Sequence, residues 1–183
     1  MRERAVILDR DGVINADSDD YIKSLDEWRP LPGSIEAIAR LSHAGFRIAI
    51  ASNQSGIGRG LLRLPDLLAM HQRLRDLLAA QGGHVDLIAF CPHAPDDDCH
   101  CRKPRTGLLE DIAQRLDLNL TGVPFVGDSF ADIQAARAVG ALPWLVRTGK
   151  GARTLAAHPE LTAGIPVHPD LAAAADALLG ATP

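Results

Sequence analysis

Short apolar runs of strand length alternate along the chain with longer stretches in which apolar residues recur at helical spacing. Ala5-Val6-Ile7-Leu8 is the first such run, and an uninterrupted apolar strand is the kind that a parallel sheet buries on both faces. Pro30-Leu31-Pro32-Gly33-Ser34 opens a helix that carries Ile35, Ile38 and Leu41 on one face and ends at Gly45. A second strand is expected over 46–51, leading into a glycine-rich polar loop over 52–60. Leu67, Leu68, His71, Leu74 and Leu78 then keep helical spacing as far as Gly82-Gly83. Residues 85–90 read as a third strand, 107–116 as a helix, 124–126 and 144–146 as two more strands, and 165–179 as a closing strand and helix. This alternation predicts a doubly wound α/β fold, a mainly parallel sheet with helices on both faces. No repeat or low-complexity tract interrupts it, and residues 1–183 are expected to form one domain that buries roughly 70% of its unfolded surface. The tail over 152–168 has little motif content and is assigned no chemistry.

Composition excludes some functions. A net charge of −4, an aromatic content of 4% and the lack of any Lys/Arg-rich run argue against nucleic acid as a partner. No stretch approaches about 18 continuous apolar residues, so neither a membrane span nor a signal peptide is expected, and a cytoplasmic protein with no membrane partner follows. Without an exposed heptad or apolar strip, a monomer is expected. The three cysteines all fall in one short loop, a poor layout for a disulfide framework and a good one for a metal.

The chemistry sits at the strand ends. Ligands bind beyond the carboxyl ends of the strands in an open parallel sheet, and Asp9 and Asp11 follow the first strand. One carboxylate can attack phosphorus and the other shuttle a proton, while a divalent metal offsets their charge. Asp-Gly is also ordinary turn chemistry, so the pair gains its meaning from what the other strands deliver: Ser52, the loop around Lys103, and Asp128. Taken singly, Ser52 reads as a loop hydroxyl and Lys103 as a solvated surface charge.

In the third loop, Cys91-Pro92-His93 and Cys99-His100-Cys101 set two close ligand pairs across a five-residue connector. This is the spacing of a compact Cys₃His zinc site, and a closed tetrahedral shell makes the metal structural. His100 competes with His93 for the fourth place but points away from its neighbours in an extended stretch. Such a site would pin Arg102 and Lys103 over the crevice. Asp96-Asp97-Asp98, with no interleaved aromatics, disfavours a nucleic-acid-binding zinc ribbon. His43, His71 and His84 are expected on helix faces and ends.

Together these motifs resemble the haloacid dehalogenase superfamily of phosphohydrolases, whose four motifs are matched in order by Asp9-Arg10-Asp11-Gly12, Ser52-Asn53-Gln54, Lys103, and Gly127-Asp128 with Asp132. Within it the closest resemblance is to the phosphatases of heptose 1,7-bisphosphates. Four stretches carry it, all within residues 4–151: Asp-Arg-Asp-Gly-Val-Ile-Asn, Ser-Asn-Gln-Ser-Gly-Ile-Gly-Arg-Gly, Cys-Arg-Lys-Pro and Arg-Thr-Gly-Lys. The resemblance implies that Asp9 is the nucleophile that forms an aspartyl-phosphate, and that Asp11 is the general acid and then the base. Ser52 and Lys103 would stabilise the phosphoryl oxygens. Mg²⁺ would be held by Asp9, the Asp11 backbone carbonyl and Asp128. It also supports zinc on Cys91, His93, Cys99 and Cys101.

The implied substrate is a small phosphorylated sugar, and the implied reaction removes the 7-phosphate on the way to a nucleotide-activated heptose for lipopolysaccharide. Asp17, Ser18, Asp19 and Asp20 in a flap would meet sugar hydroxyls. Ser52, Asn53, Gln54 and Ser55 would line the substrate, and Arg102, with Arg105 beside it, would take the second phosphate. The flap of about 20 residues is too short for the cap domain found in larger members, so the zinc loop is expected to do the covering. Histidinol-phosphate phosphatases share the cap-less layout and the zinc loop and form an alternative. A phosphosugar-binding protein without turnover would have no use for an acid/base aspartate. A sensor centred on the cysteines leaves the other motifs unexplained. One departure from the family pattern is Ser129, where a lysine often follows the motif-four aspartate. Asp132 either supports the site or complements a helix dipole.

Overall fold

Ala5–Leu8 forms β1, buried along its whole length, in a computed structural model that describes residues 4–180. Residues 1–3 and 181–183, part of the expected 1–183 domain, lie outside the described residues. The chain continues through α1 (Ser34–His43), β2 (Arg47–Asn53), α2 (Ser55–Gly58), α3 (Leu64–Ala79) and β3 (Leu87–Cys91). After a 3₁₀ turn at Pro95–Asp97 come α4 (Gly107–Leu116), β4 (Pro124–Gly127), α5 (Phe130–Ala138) and β5 (Leu142–Val146). The last elements are α6 (Gly151–Ala157), α7 (Pro159–Thr162), β6 (Val167–His168) and α8 (Leu171–Gly180).

All strand pairs are parallel, and the six-stranded sheet has the order β3-β2-β1-β4-β5-β6. The expected doubly wound α/β architecture is therefore present. Alternation along β1 divides the core: Val6 and Leu8 pack with the apolar faces of α1, α3 and α8, whereas Ala5 and Ile7 pack with those of α4 and α5. Because β1 lies between β2 and β4, Asp9 emerges at the point where the strand order reverses, the usual place for a ligand crevice in such sheets.

Several elements depart from the sequence expectation. Strand β2 runs on to Asn53, so Ser52 belongs to the sheet and not to a loop. Residues 55–58 form one helical turn, and 151–162, for which the sequence pattern names no element, form two short helices. Strand β3 starts later than expected and ends on Cys91, placing the first cysteine in the sheet. On α3 the buried stripe is Leu67, Met70, His71, Leu74 and Leu78, while Leu68 is 49% exposed. A helix advancing by about 100° per residue carries Leu68 off the stripe that Leu67 and His71 share. No helix among the described residues is long and apolar enough to cross a membrane.

Candidate active site and zinc-type loop

The segments that follow β1 to β5 line a cavity of about 340 Å³, with Asp9, Asp11, Gln54, Arg102, Lys103, Asp128 and Lys150 among its walls. Lys103, read from sequence as a group held over the crevice, is its floor and is 3% exposed. Its Nζ lies 3.0 Å from Asp9 Oδ1 and donates to Asp132 Oδ1 at 2.6 Å and to the Ala51 carbonyl at 2.7 Å. Burial alone would lower its pKa, but the carboxylates of Asp132 and Asp9 outweigh burial and keep the amine charged. Asn53 fixes this residue's backbone: its amide donates to the Lys103 carbonyl and accepts from the Lys103 N–H, both at 3.0 Å.

Asp132 does more than complement a helix dipole. Besides Lys103 it accepts from the Asp128 N–H at 3.2 Å, the Ser129 N–H at 3.1 Å and Ser129 Oγ at 2.7 Å. Ser129 also caps α5, accepting from the Asp132 N–H. The serine that stands where the family often has lysine thus orients the carboxylate that orients Lys103.

The anionic groups are crowded. Burial, then repulsion from Asp132, Asp128 and Asp11, raises the Asp9 pKa well above the ordinary carboxylate range, against the pull of Lys103. Asp128 is pushed up to about 7 by burial and by Asp132, although the Lys150 N–H donates to its Oδ2 at 2.7 Å. Gly12 (φ 83°) and Gly149 (φ 56°) press their backbones on this carboxylate: a Cβ at either would lie 2.0 or 2.2 Å from Asp128 Oδ2. Thr148 ties the two turns by donating to the Gly12 carbonyl at 2.7 Å. The Arg-Thr-Gly-Lys stretch, assigned no role from sequence, is a backbone collar around Asp128.

Asp11 sits in a different field. Its Oδ1 accepts from Arg10 Nε at 3.1 Å, Arg10 Nη2 at 2.8 Å and Asn15 Nδ2 at 2.8 Å, and its Oδ2 accepts from Gln54 Nε2 at 2.8 Å. Burial would raise its pKa, but the Arg10 charge and these donors hold it below the ordinary value. Neither Arg10 nor Asn15 is assigned a role from sequence; the signal for Arg10 is a basic residue lodged between two acids.

The remaining candidate residues separate by position. Asp17, Ser18 and Asp19 of the flap line the cavity with Asn53, Gln54 and Ser55. Asp17 pairs with Lys150 at 3.3 Å and Asp19 with Arg153 at 3.7 Å. Asp20 is exposed, outside the lining, and its carbonyl accepts from Lys23. Ser52 is fully buried beneath the lining, its Oγ accepting from Gln54 Nε2 at 2.7 Å. Arg102 reaches the cavity, and its buried Nη1 finds no hydrogen-bond partner among the described residues. Arg105 instead braces the cysteine loop, pairing with Asp98 and donating to the Cys99 carbonyl.

In that loop the ligand atoms converge. Cys91 Sγ is 3.5 Å from His93 Nδ1, 3.6 Å from Cys99 Sγ and 3.1 Å from Cys101 Sγ, and His93 Nδ1 is 3.2 Å from Cys101 Sγ. His100 points away and meets Glu110 at 2.8 Å. Burial pushes the Cys91 thiol up to about 12.

A family model described as HAD-hydrolase-like matches residues 100–174. Over 179 residues the chain is 59% identical to the D-glycero-beta-D-manno-heptose-1,7-bisphosphate 7-phosphatase of Pseudomonas aeruginosa, covering 98% of this chain and 99% of that protein. The chain belongs to the heptose bisphosphate phosphatase family of the haloacid dehalogenase superfamily. Another phosphatase of this name, from Bordetella bronchiseptica, is 53% identical over 176 residues, or 96% of this chain and 98% of that protein. The crystal structure of the D,D-heptose 1,7-bisphosphate phosphatase from B. bronchiseptica, complexed with magnesium and phosphate, matches with a TM-score of 0.94. It is 52% identical and covers 98% of this chain and 99% of that chain. The heptose bisphosphate phosphatase family is thus the one to which the sequence motifs pointed.

Proposed function

We propose that this chain hydrolyses the 7-phosphate of D-glycero-β-D-manno-heptose 1,7-bisphosphate through an aspartyl-phosphate, a step toward the ADP-heptose of the lipopolysaccharide core. The observation that carries the mechanism is the placing of Asp9 against Lys103, with Asp11 and Asp128 lining the same cavity. Asp9 is the nucleophile. Asp11 protonates the departing sugar oxygen and then takes a proton from the attacking water. Lys103 offsets charge on the phosphoryl oxygens, and Ser52, linked to the cavity through Gln54, supports that set. Arg102, which lines the same cavity, offers its guanidinium to the second phosphate, and Asp17, Ser18 and Asp19 face the sugar.

Mg²⁺ suits the donors. Carboxylate oxygens of Asp9, Asp128 and Asp132 lie within 4.8 Å of one another, all buried and all hard ligands. Lys103, Ser129 and the Asp128 N–H already occupy Asp132, so Asp9, Asp128 and the Asp11 backbone carbonyl would hold the ion. When bound, it supplies charge neutralisation between an anionic nucleophile and an anionic phosphoryl group. Zn²⁺ suits the four soft ligand atoms of Cys91, His93, Cys99 and Cys101, which also lie within 4.8 Å of one another. It would cross-link the loop that delivers Arg102 and Lys103.

Raised pKa values at Asp9 and Asp128 make Mg²⁺ binding pH-dependent, because the cation displaces protons held there. Protonation rises as pH falls, so the apparent Kd weakens below about 7, by about tenfold per pH unit for each proton displaced. Calorimetric titration of Mg²⁺ on either side of neutrality measures this directly, and an unchanged Kd would contradict it.

The substrate assignment is tested by phosphate release from the α and β heptose bisphosphates and from histidinol phosphate, each with Mg²⁺ and with EDTA. A Mg²⁺-dependent kcat/KM for the β anomer about 10²-fold or more above histidinol phosphate is expected. Preference for histidinol phosphate would reverse the assignment.

A further inference from the structure

Arg10 is the bulkiest fully buried side chain among the described residues, 1% exposed, yet it lines no part of the cavity. Its Nη1 rests 3.9 Å from Met70 Sδ on α3, and its Nε and Nη2 both reach Asp11 Oδ1. An apolar side chain would fill this space beside Met70 without burying a charge. What the guanidinium adds is direction, because a planar fork grips one oxygen from a fixed angle.

The grip is selective. Asn15 brings a third donor to Oδ1, whereas Oδ2 has Gln54 Nε2 alone, and that amide is shared with Ser52 Oγ. A carboxylate offers about four lone-pair sites over its two oxygens, so three donors crowd Oδ1 and leave Oδ2 with room for a proton. We propose that Arg10 is a positioning residue: by anchoring Oδ1 of Asp11 it makes Oδ2 the oxygen that delivers the proton to the departing sugar. Arg10 favours the carboxylate of Asp11 in the free protein, and the negative charge of a bound phosphoryl group favours uptake of a proton from solvent on the open Oδ2. An Asp9 oxygen bonds to phosphorus, the bond from phosphorus to the sugar oxygen breaks with its electron pair on that oxygen, and the proton taken up on Asp11 Oδ2 moves there, leaving Asp11 a carboxylate. The proposal rests on the reading of Asp11 as the general acid.

Leaving-group dependence tests it. A sugar alkoxide departs only with a proton, whereas p-nitrophenolate is stable without one. Wild type, Arg10→Met, Arg10→Lys and Asp11→Asn are compared on the heptose bisphosphate and on p-nitrophenyl phosphate, with circular dichroism as the check of folding. In Arg10→Met the ratio of heptose bisphosphate to p-nitrophenyl phosphate turnover is expected to fall about 10²-fold, the scale of a misplaced proton donor. Arg10→Lys, which keeps the charge and loses the fork, should move the ratio the same way by less, and it decides the matter if Arg10→Met does not fold. Equal loss on both substrates means that Arg10 only fills the core, which overturns the proposal. An unchanged ratio in Asp11→Asn overturns the general-acid reading, and this inference with it. If wild type spares the heptose bisphosphate but cleaves p-nitrophenyl phosphate, the substrate assignment alone fails, and the same ratio is taken with a primary alkyl phosphate.

Discussion

Asp9→Asn is expected to lower phosphate release by at least about 10⁴-fold, the scale seen when a nucleophile is removed, while leaving the metal-free protein as stable as wild type or more so. The two effects have one origin. Asp9 is buried, and Asp132, Asp128 and Asp11 all repel its charge. A carboxyl whose folded pKa is raised above its unfolded value weakens the fold as pH climbs from the unfolded pKa through the folded one, because the folded state must give up a proton that it holds more tightly. At neutral pH an amide of the same shape is spared that penalty and still offers Lys103 an acceptor. Added Mg²⁺ should raise the melting temperature of wild type and do so much less in the variant, since one proposed ligand has lost its charge. Thermal melts in EDTA and in Mg²⁺, run beside a phosphate-release assay, read both. Turnover above about 1% of wild type would remove Asp9 from the nucleophile's role.

Lys103→Met should cost both stability and rate. Nζ is the cation between Asp9 and Asp132, and all three side chains are nearly inaccessible. Removing one member of a buried ionic set typically destabilises by about 3–5 kcal/mol, because the partners stay buried and uncompensated. For a chain of this size that corresponds to a fall of about 10 °C in melting temperature. The phosphoryl group also loses its fixed positive charge, for which a drop of about 10² to 10³ in kcat is expected. Adding Asp132→Asn separates the two losses. It removes one stranded charge and should recover part of the melting temperature without recovering turnover. A single variant that melts with wild type would show that Lys103 carries no such burden.

Much of this arrangement was legible in the sequence where a residue type was improbable for its place. Asp9, Asp11 and Asp128 follow apolar strands, and the ends of a parallel sheet leave such groups one place to meet. Helix α4 was expected over the residues it occupies, since Leu108, Leu109, Ile112 and Leu116 keep one apolar face. Residues whose role lies in a distant partner were not legible. Asn53 reads as a polar loop residue and holds a backbone 50 positions away. Lys103 taken alone reads as a surface charge, because burial is decided by strands that the local sequence does not mention. Arg10 is assigned no role from sequence, since its partner Met70 lies 60 positions away. Helix α2 is too short to show a period; it is fixed from outside, where the Gly58 N–H donates to the Pro92 carbonyl at 2.8 Å. Leu68 departs for another reason: it is apolar but lies about 100° round α3 from Leu67, off the buried stripe, so it stays exposed.

The cysteine loop has a consequence for how such a protein diverges. It begins on the last residue of β3, where Cys91 stands in register with Asn53, and it returns at Lys103 to the side chain of that same Asn53. One residue thus clasps both ends. Between them the connector over 94–98 is mostly exposed, and only Pro95 reaches the cavity wall. A lineage can therefore lengthen or rewrite that connector, and with it the rim of the cavity, while Asn53 keeps Lys103 in place. The cavity rim at Pro95 and the buried Lys103 are thus carried on separate pieces of the same loop.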